Sequence, residues 1–228
     1  VSQSNNKKVA ILHYATTTSS DFENYFVNYC GATSVKSFVV NSASANSSTL
    51  INEINEYDVF YFRGGDQWYY YSDWRGTLME DLIHSKYNNG GVLCGTSAGL
   101  AILSGVMFTA QYSSAYSHLT IKNTNHIAIT LADNFINVMP GFIFDSHFTD
   151  RGRMGRLVSF MANWKKNHSE NLVGIGVDEI SALAIKSDLT ATAYGAGSVD
   201  IFRLRSGTDY KDGTVLNVDS LEVTHLIH

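Results

Sequence analysis

The stretch Val92-Leu93-Cys94-Gly95-Thr96-Ser97-Ala98-Gly99-Leu100 constrains this chain more than any other. A short apolar run ends in Gly-Thr-Ser-Ala-Gly, and a helix-like apolar stretch, Leu100 to Leu103, follows. The pattern predicts a buried strand that turns sharply into a helix with Ser97 at the apex. Such a turn lifts a serine oxygen to the top of an α/β sheet. The turn is tight, so side chains at positions 95 and 99 would clash with it, and glycine stands at both. The helix expected after Ser97 would aim free N–H groups and its positive dipole end at one spot, where an oxyanion could form. Taken alone, the same residues also fit a plain strand–helix turn with a serine cap. A base and a group to orient it have to come from elsewhere in the chain.

The flanking pattern supports such a sheet. Lys8 to Tyr14 reads as a buried first strand, and Ser20 or Asp21 caps a helix through Phe26 and Tyr29 that Gly31 ends. Val35 to Val40 is a second strand. Asn46 to Glu56 is a second helix, with Leu50, Ile51 and Ile54 at helical spacing. Tyr57 to Phe62 is a third strand that stops at Arg63-Gly64-Gly65-Asp66-Gln67, and a fourth leads to Ser97. Strand and helix alternate, which predicts a mostly parallel sheet covered on both faces, a three-layer α/β/α sandwich. Gly105 to Ala132 reads as loops or short strands. Gly141 to Asp145 is a further strand, and Thr149 or Asp150 caps a long helix with Met154, Leu157, Val158, Met161 and Trp164 on its apolar stripe. Leu172 to Val177 and Ala182 to Lys186 are strands, and from Thr190 onward the pattern is strand-like with turns at Gly195, Gly207 and Gly213. With no repeat and no linker, residues 1–228 read as a single α/β domain with extra C-terminal strands.

Composition narrows the function classes. A net charge of −5 argues against a nucleic-acid partner, and no apolar run approaches a membrane span. Cys30 and Cys94 make neither a disulfide framework nor a metal signature, and Cys94 reads as a buried structural thiol. A start at Val1 and the sequons Asn46-Ser47-Ser48 and Asn167-His168-Ser169 lean towards a secreted or periplasmic protein.

In an open α/β sheet, function gathers beyond the carboxyl ends of the strands. Four polar clusters fall there: Gly64-Gly65-Asp66-Gln67, Ser97 with its glycines, Asp145-Ser146-His147, and Asp178-Glu179. His147 is the candidate base, because an imidazole titrates near neutrality. Glu179 is the candidate orienter and Asp178 its rival, since adjacent residues at a strand end point in different directions. Gly64-Gly65 lets a backbone N–H approach an oxyanion, or is an ordinary βα turn. Gln67 binds a substrate amide or caps the next helix. Arg151, Arg153 and Arg156 suit substrate carboxylates, or lie on a solvated helix face. Trp68-Tyr69-Tyr70-Tyr71 with Trp74 either lines a cleft or packs.

These blocks, in this order, resemble the landmarks of cyanophycinases, serine peptidases of family S51 related to the aspartyl dipeptidases. The similar residues are Gly64-Gly65-Asp66-Gln67, Gly95-Thr96-Ser97-Ala98-Gly99, Asp145-Ser146-His147-Phe148 with Arg151, Arg153 and Arg156, and Gly176-Val177-Asp178-Glu179 before Ala182-Leu183. The resemblance implies a class I glutamine amidotransferase-like, flavodoxin-like fold with Ser97 as nucleophile, His147 as base and Glu179 as third member. It places the oxyanion hole at the N–H groups of Gly65 and Ala98, and substrate contacts at Gln67, Asp145, Arg151, Arg153 and Arg156. It implies no metal or cofactor, a peptide or polymer substrate with aspartyl residues, such as a β-Asp-Arg polymer or an Asp-X dipeptide, and a homodimer. Two departures lie near the expected substrate groove: Ser146 stands where cyanophycinases usually carry Gln, and aromatic residues follow Gln67. A catalytically idle module that holds acidic peptides is the contrasting expectation.

Overall fold

The computed structural model describes residues 6–16, 20–205 and 215–227. The chain divides into two compact units: Val1–Leu103 with Asn134–Val138, and Ser104–Asp133 with Met139–His228.

The first unit is built on β1 (Lys8–His13), whose residues after Lys8 are all buried. The chain continues through α1 (Ser20–Cys30), β2 (Ser34–Val39), α2 (Ser48–Ile54), β3 (Val59–Phe62), α3 (Gln67–Trp74), α4 (Leu78–Asn88), β4 (Val92–Gly95) and α5 (Ala98–Ala101). The four strands form a parallel sheet, as the alternating pattern predicts, and the structure orders them β2-β1-β3-β4. Successive side chains enter opposite faces. Val9, Ile11, Val59, Tyr61, Val92 and Cys94 join Phe26 of α1 in one core. On the other face Phe62 meets Trp74 of α3, and Ile54, Met79 and Ile83 of α2 and α4 are fully buried. The Trp74 indole N–H donates to the Val40 carbonyl at 2.6 Å, so even this buried aromatic has its polar atom satisfied. The chain leaves β1 towards β2 and returns on its other side to β3. The carboxyl ends of β1 and β3 are therefore the point where strand order reverses, the position at which open α/β sheets place their ligands.

The second unit contains β5 (Met107–Phe108), α6 (Ser117–Thr120), β6 (Leu131–Ala132), β7 (Phe142–Ser146), α7 (Met154–His168), β8 (Val173–Val177), β9 (Ser181–Ile185), β10 (Ala191–Gly195), β11 (Ser198–Leu204) and β12 (Leu221–Ile227). Its main sheet runs β12-β11-β8-β7. The β7–β8 pair is parallel, and the C-terminal strands β11 and β12 add on antiparallel. Leu157, Val158, Phe160, Met161 and Trp164 of α7 fill the core of this unit. The expected turn at Gly195 is present, with φ 110°. Those at Gly207 and Gly213 lie outside the described residues.

Two local expectations need correction. The helix after Ser97 spans only Ala98–Ala101, too short for a substantial macrodipole, so any charge stabilisation near Ser97 rests on individual N–H groups. The long helix begins at Met154 rather than after Thr149 or Asp150, and Met154 itself is exposed. Gly152 takes φ 57°, which a right-handed helix does not accommodate, and the Thr149 N–H donates to the Asp178 carboxylate at 2.9 Å. A tertiary contact holds residues that local sequence would make helical. No helix among the described residues is long and apolar enough to cross a membrane.

Candidate active site

In the first unit, three strand ends converge. Ser97 follows β4 with φ 54° and ψ −115°, a conformation that costs a non-glycine residue of order 1–3 kcal/mol and persists only where its surroundings impose it. They do so here through glycine. A Cβ on Gly95 would overlap the Gly99 carbonyl, and one on Gly99 would overlap the Phe62 carbonyl. The Thr96 N–H donates to Phe62 O at 3.1 Å, which ties the turn to the end of β3. Gly64 lies directly beside the serine, since a Cβ there would stand 3.3 Å from Ser97 Cβ and 3.9 Å from its Oγ.

The Gly64-Gly65 loop is fastened by residues the sequence did not single out. His13 ends β1, and its Nδ1 accepts from the N–H groups of Ala15 at 3.0 Å and Thr16 at 2.9 Å. Its Nε2 lies 3.1 Å from the Gly64 carbonyl. Two donors on Nδ1 leave the ring neutral there, with its proton on Nε2. Burial, then the Arg63 guanidinium, hold the imidazole below its ordinary value of 6.5, and the Gly64 carbonyl only partly offsets them. Tyr14 stacks on His13 and accepts from the Asp66 N–H at 2.9 Å. The buried Tyr70 hydroxyl lies 2.9 Å from Arg63 O and 3.2 Å from Leu12 O. Gly65 takes φ 150°, open to glycine, and a Cβ there would meet Tyr14 Oη at 2.8 Å and His13 Nε2 at 3.0 Å. The only sequence sign of this support was the placement of His13 and Tyr14 at a strand end.

Gln67 is the first residue of α3, and the cap is Asp66, whose side chain accepts from the Trp68 N–H at 2.9 Å. In the aromatic run, Tyr70 and Trp74 are fully buried packing residues, whereas Tyr69 is half exposed. Ala98 is buried and opens α5. The Cys94 thiol is pushed up to about 11 by burial, and its Sγ donates to Phe60 O at 3.5 Å.

In the second unit, His147 follows β7 with φ 49°, and its Nδ1 lies 2.6 Å from Glu179 Oε1. Phe148 packs over Gly176, where any Cβ would enter the ring. Asp178 faces away: its Oδ1 accepts from Thr149 N–H, and its Oδ2 from the Ser198 N–H at 3.1 Å and hydroxyl at 2.8 Å. Burial acts to raise the Asp178 carboxyl, but these hydrogen bonds outweigh it and hold it below its usual value.

The three arginines have different surroundings. Arg156 is buried against Asp145 in a two-pronged pair, Nε to Oδ2 at 2.7 Å and Nη2 to Oδ1 at 2.5 Å, and it donates to Ala115 O at 3.1 Å. Its guanidinium also lies over the rings of Phe108 and Phe160. Arg153 donates to Ser146 O at 2.6 Å and to Asp145 Oδ1 at 3.3 Å. Burial lowers it to about 10 against the opposing pull of Asp145. Arg151 is exposed, and no hydrogen bond or ion pair holds its guanidinium among the described residues. All three line a cavity of about 280 Å³ with Ser114, Tyr116 and Ser117. Among the described residues no cluster of His, Cys, Asp or Glu could hold a metal ion.

The model of peptidase family S51 matches residues 1–192. The chain belongs to peptidase family S51. Its S51 relatives include the cyanophycinase of Synechococcus elongatus, 28% identical over 160 residues, which is 70% of this chain and 46% of the relative. The cyanophycinase of Trichormus variabilis is 31% identical over 142 residues, 62% of this chain and 43% of that one. The aligned region thus spans about half the length of these curated relatives. Among solved structures, a peptidase from an acI-B1 Actinobacterium superposes with a TM-score of 0.59 at 18% identity, covering 85% of this chain and 75% of the other. A protein assigned as peptidase E from Listeria monocytogenes gives a TM-score of 0.55 at 15% identity, covering 85% and 90%. Both likenesses support the α/β fold that the alternating sequence pattern predicts, in the flavodoxin-like form with C-terminal strands that the family resemblance implies.

Proposed function

We propose that this S51 chain is a serine peptidase in which Ser97 attacks the carbonyl of a peptide bond. His147 takes the serine proton and returns it to the leaving amine, and Glu179 orients the imidazole and stabilises its charged form. The carbonyl oxygen becomes negative as the C–O bond forms, and the N–H groups of Gly65 and Ala98 receive it. Water then attacks the acyl-enzyme and releases Ser97. The observation that carries this reading is the strained backbone of Ser97 at the carboxyl end of a parallel strand, in a chain of this peptidase family. The close approaches at Gly95 and Gly99, with the positive φ of Ser97, support reading this turn as a nucleophile elbow.

The arginine-lined cavity supports an acidic substrate. Arg151 and Arg153 are the cations in this reading that meet a substrate carboxylate, and Gln67 is an amide donor to substrate. Arg156, which lines the same cavity, is already paired with Asp145. The substrate class is a peptide or polymer bearing aspartyl residues. The test is hydrolysis of a panel holding cyanophycin, β-Asp-Arg and Asp-X dipeptides, with a serine-reactive phosphonate probe alongside. Turnover of one member and labelling of Ser97 are expected. Full activity of Ser97→Ala on that substrate overturns the nucleophile, and no labelling of a folded sample points to an idle binder of acidic peptides.

A further inference from the structure

The Gly64-Gly65 peptide has its carbonyl bonded to His13 and its N–H on the opposite side. In a trans peptide, C=O and N–H point in opposite directions, and no peptide among the described residues is cis. Fixing the Gly64 oxygen therefore fixes the aim of the Gly65 N–H. His13 and Tyr14 stand on one side of this loop and Ser97 lies beside Gly64. We propose that His13 is a positioning residue that, through its Nε2–H bond to the Gly64 carbonyl, turns the Gly65 N–H towards an oxyanion forming on the Ser97 side. The inference rests on the serine-peptidase reading above.

Each ring nitrogen has its own task. Nδ1 closes the turn after β1 by accepting from Ala15 and Thr16, and Nε2–H reaches the loop after β3. The two acceptor bonds at Nδ1 set the tautomer, so the donor at Nε2 is determined by the backbone of residues 13–16 rather than by solvent. The ring sits at the point of strand-order reversal, where β1 and β3 end side by side. Stacked Tyr14, at 4.2 Å between ring centroids, and edge-on Tyr70, at 5.9 Å, restrict its rotation. Hydrogen-bond donors aimed in advance at developing charge are among the largest contributors to acyl-transfer rates, and losing one costs roughly 100- to 1,000-fold. A donor that is present but wrongly aimed forfeits part of that.

Two substitutions separate aiming from mere support. In His13→Gln the amide N–H sits where Nε2–H does and keeps the bond to Gly64, while the acceptor for Ala15 and Thr16 is lost. In His13→Asn the amide oxygen keeps the acceptor at the Nδ1 position, while the donor to Gly64 is lost. The experiment measures the rate of Ser97 modification by an aryl phosphonate in the full chain, splitting maximal inactivation rate from probe affinity. We expect His13→Gln within about 5-fold of the unaltered protein and His13→Asn slowed roughly 10- to 100-fold, with affinity unchanged in both. Equal rates for His13→Asn and the unaltered protein overturn the proposal, as do equal losses in the two variants. If the unaltered, folded protein is not modified at Ser97, the serine-peptidase reading fails and this proposal fails with it. Side-chain 15N shifts of His13 in the unaltered protein give a check that needs no variant. A protonated Nε2 and bare Nδ1 support the proposal, and a protonated Nδ1 overturns it.

Discussion

Glu179 reaches His147 Nδ1 at 2.6 Å, while Asp178, its immediate neighbour, turns to the other side and serves Thr149 and Ser198. Adjacent residues leaving a strand point in opposite directions, so only one of the two carboxylates can meet the imidazole. Glu179→Gln is expected to lower kcat roughly 100-fold, the scale of assisted proton transfer, with little effect on stability. Asp178→Asn is expected to do the reverse, leaving kcat within a few-fold and costing about 1–3 kcal/mol in urea unfolding. Equal kcat losses in the two variants would remove the distinction.

Stability should depend on His13 and pH in a defined direction. The folded imidazole is held below its ordinary value of 6.5 by burial and by Arg63, with Tyr14 and Tyr70 the other titratable side chains against the ring. The folded state thus prefers the neutral form. Its contribution is fully present above the unfolded value of about 6.5, and is lost as pH falls from there through the folded value. His13→Gln should flatten the stability curve in that window. An unchanged slope in urea melts between pH 7 and 5 would contradict this.

The glycines around Ser97 leave no room for a methyl group. Gly95→Ala and Gly99→Ala each drive a Cβ into a backbone carbonyl that the sheet holds in place. Each should cost roughly 3 kcal/mol or more, beyond what ordinary overpacking in a yielding core costs. Gly31→Ala is the control. It meets nothing within 4 Å, although its φ of 70° carries a smaller conformational penalty. Thermal melts of the three variants rank them.

Arg151 and Arg156 should fail in different ways. Arg156→Leu leaves Asp145 charged and buried without its two-pronged partner, and breaking such a pair costs about 3–5 kcal/mol. Arg151→Ala removes an exposed cation at the cavity rim, so folding should be unaffected. In the proposed role, KM for a carboxylate-bearing substrate rises roughly tenfold with kcat little changed. A kcat effect without a KM effect would place Arg151 outside substrate binding.

The sequence by itself determined the elements whose signals are local. Alternating apolar runs and helical spacings marked β1 to β4, α1 and α2 to within a few residues, because hydrophobic period and capping act over one or two turns. It also marked the tight glycine-flanked turn at Ser97, since the clash that excludes a side chain there is a property of the turn. Tertiary structure alone decided which carboxylate faces His147, which arginine is consumed by Asp145, and where α7 begins. Each of these depends on contacts between residues far apart in the chain, such as Thr149 with Asp178 or Arg156 with Ala115. His13 shows the limit most plainly. Its residue type and its place at the end of β1 were legible, but its bond to Gly64, 51 residues away, exists only once β1 and β3 pair side by side.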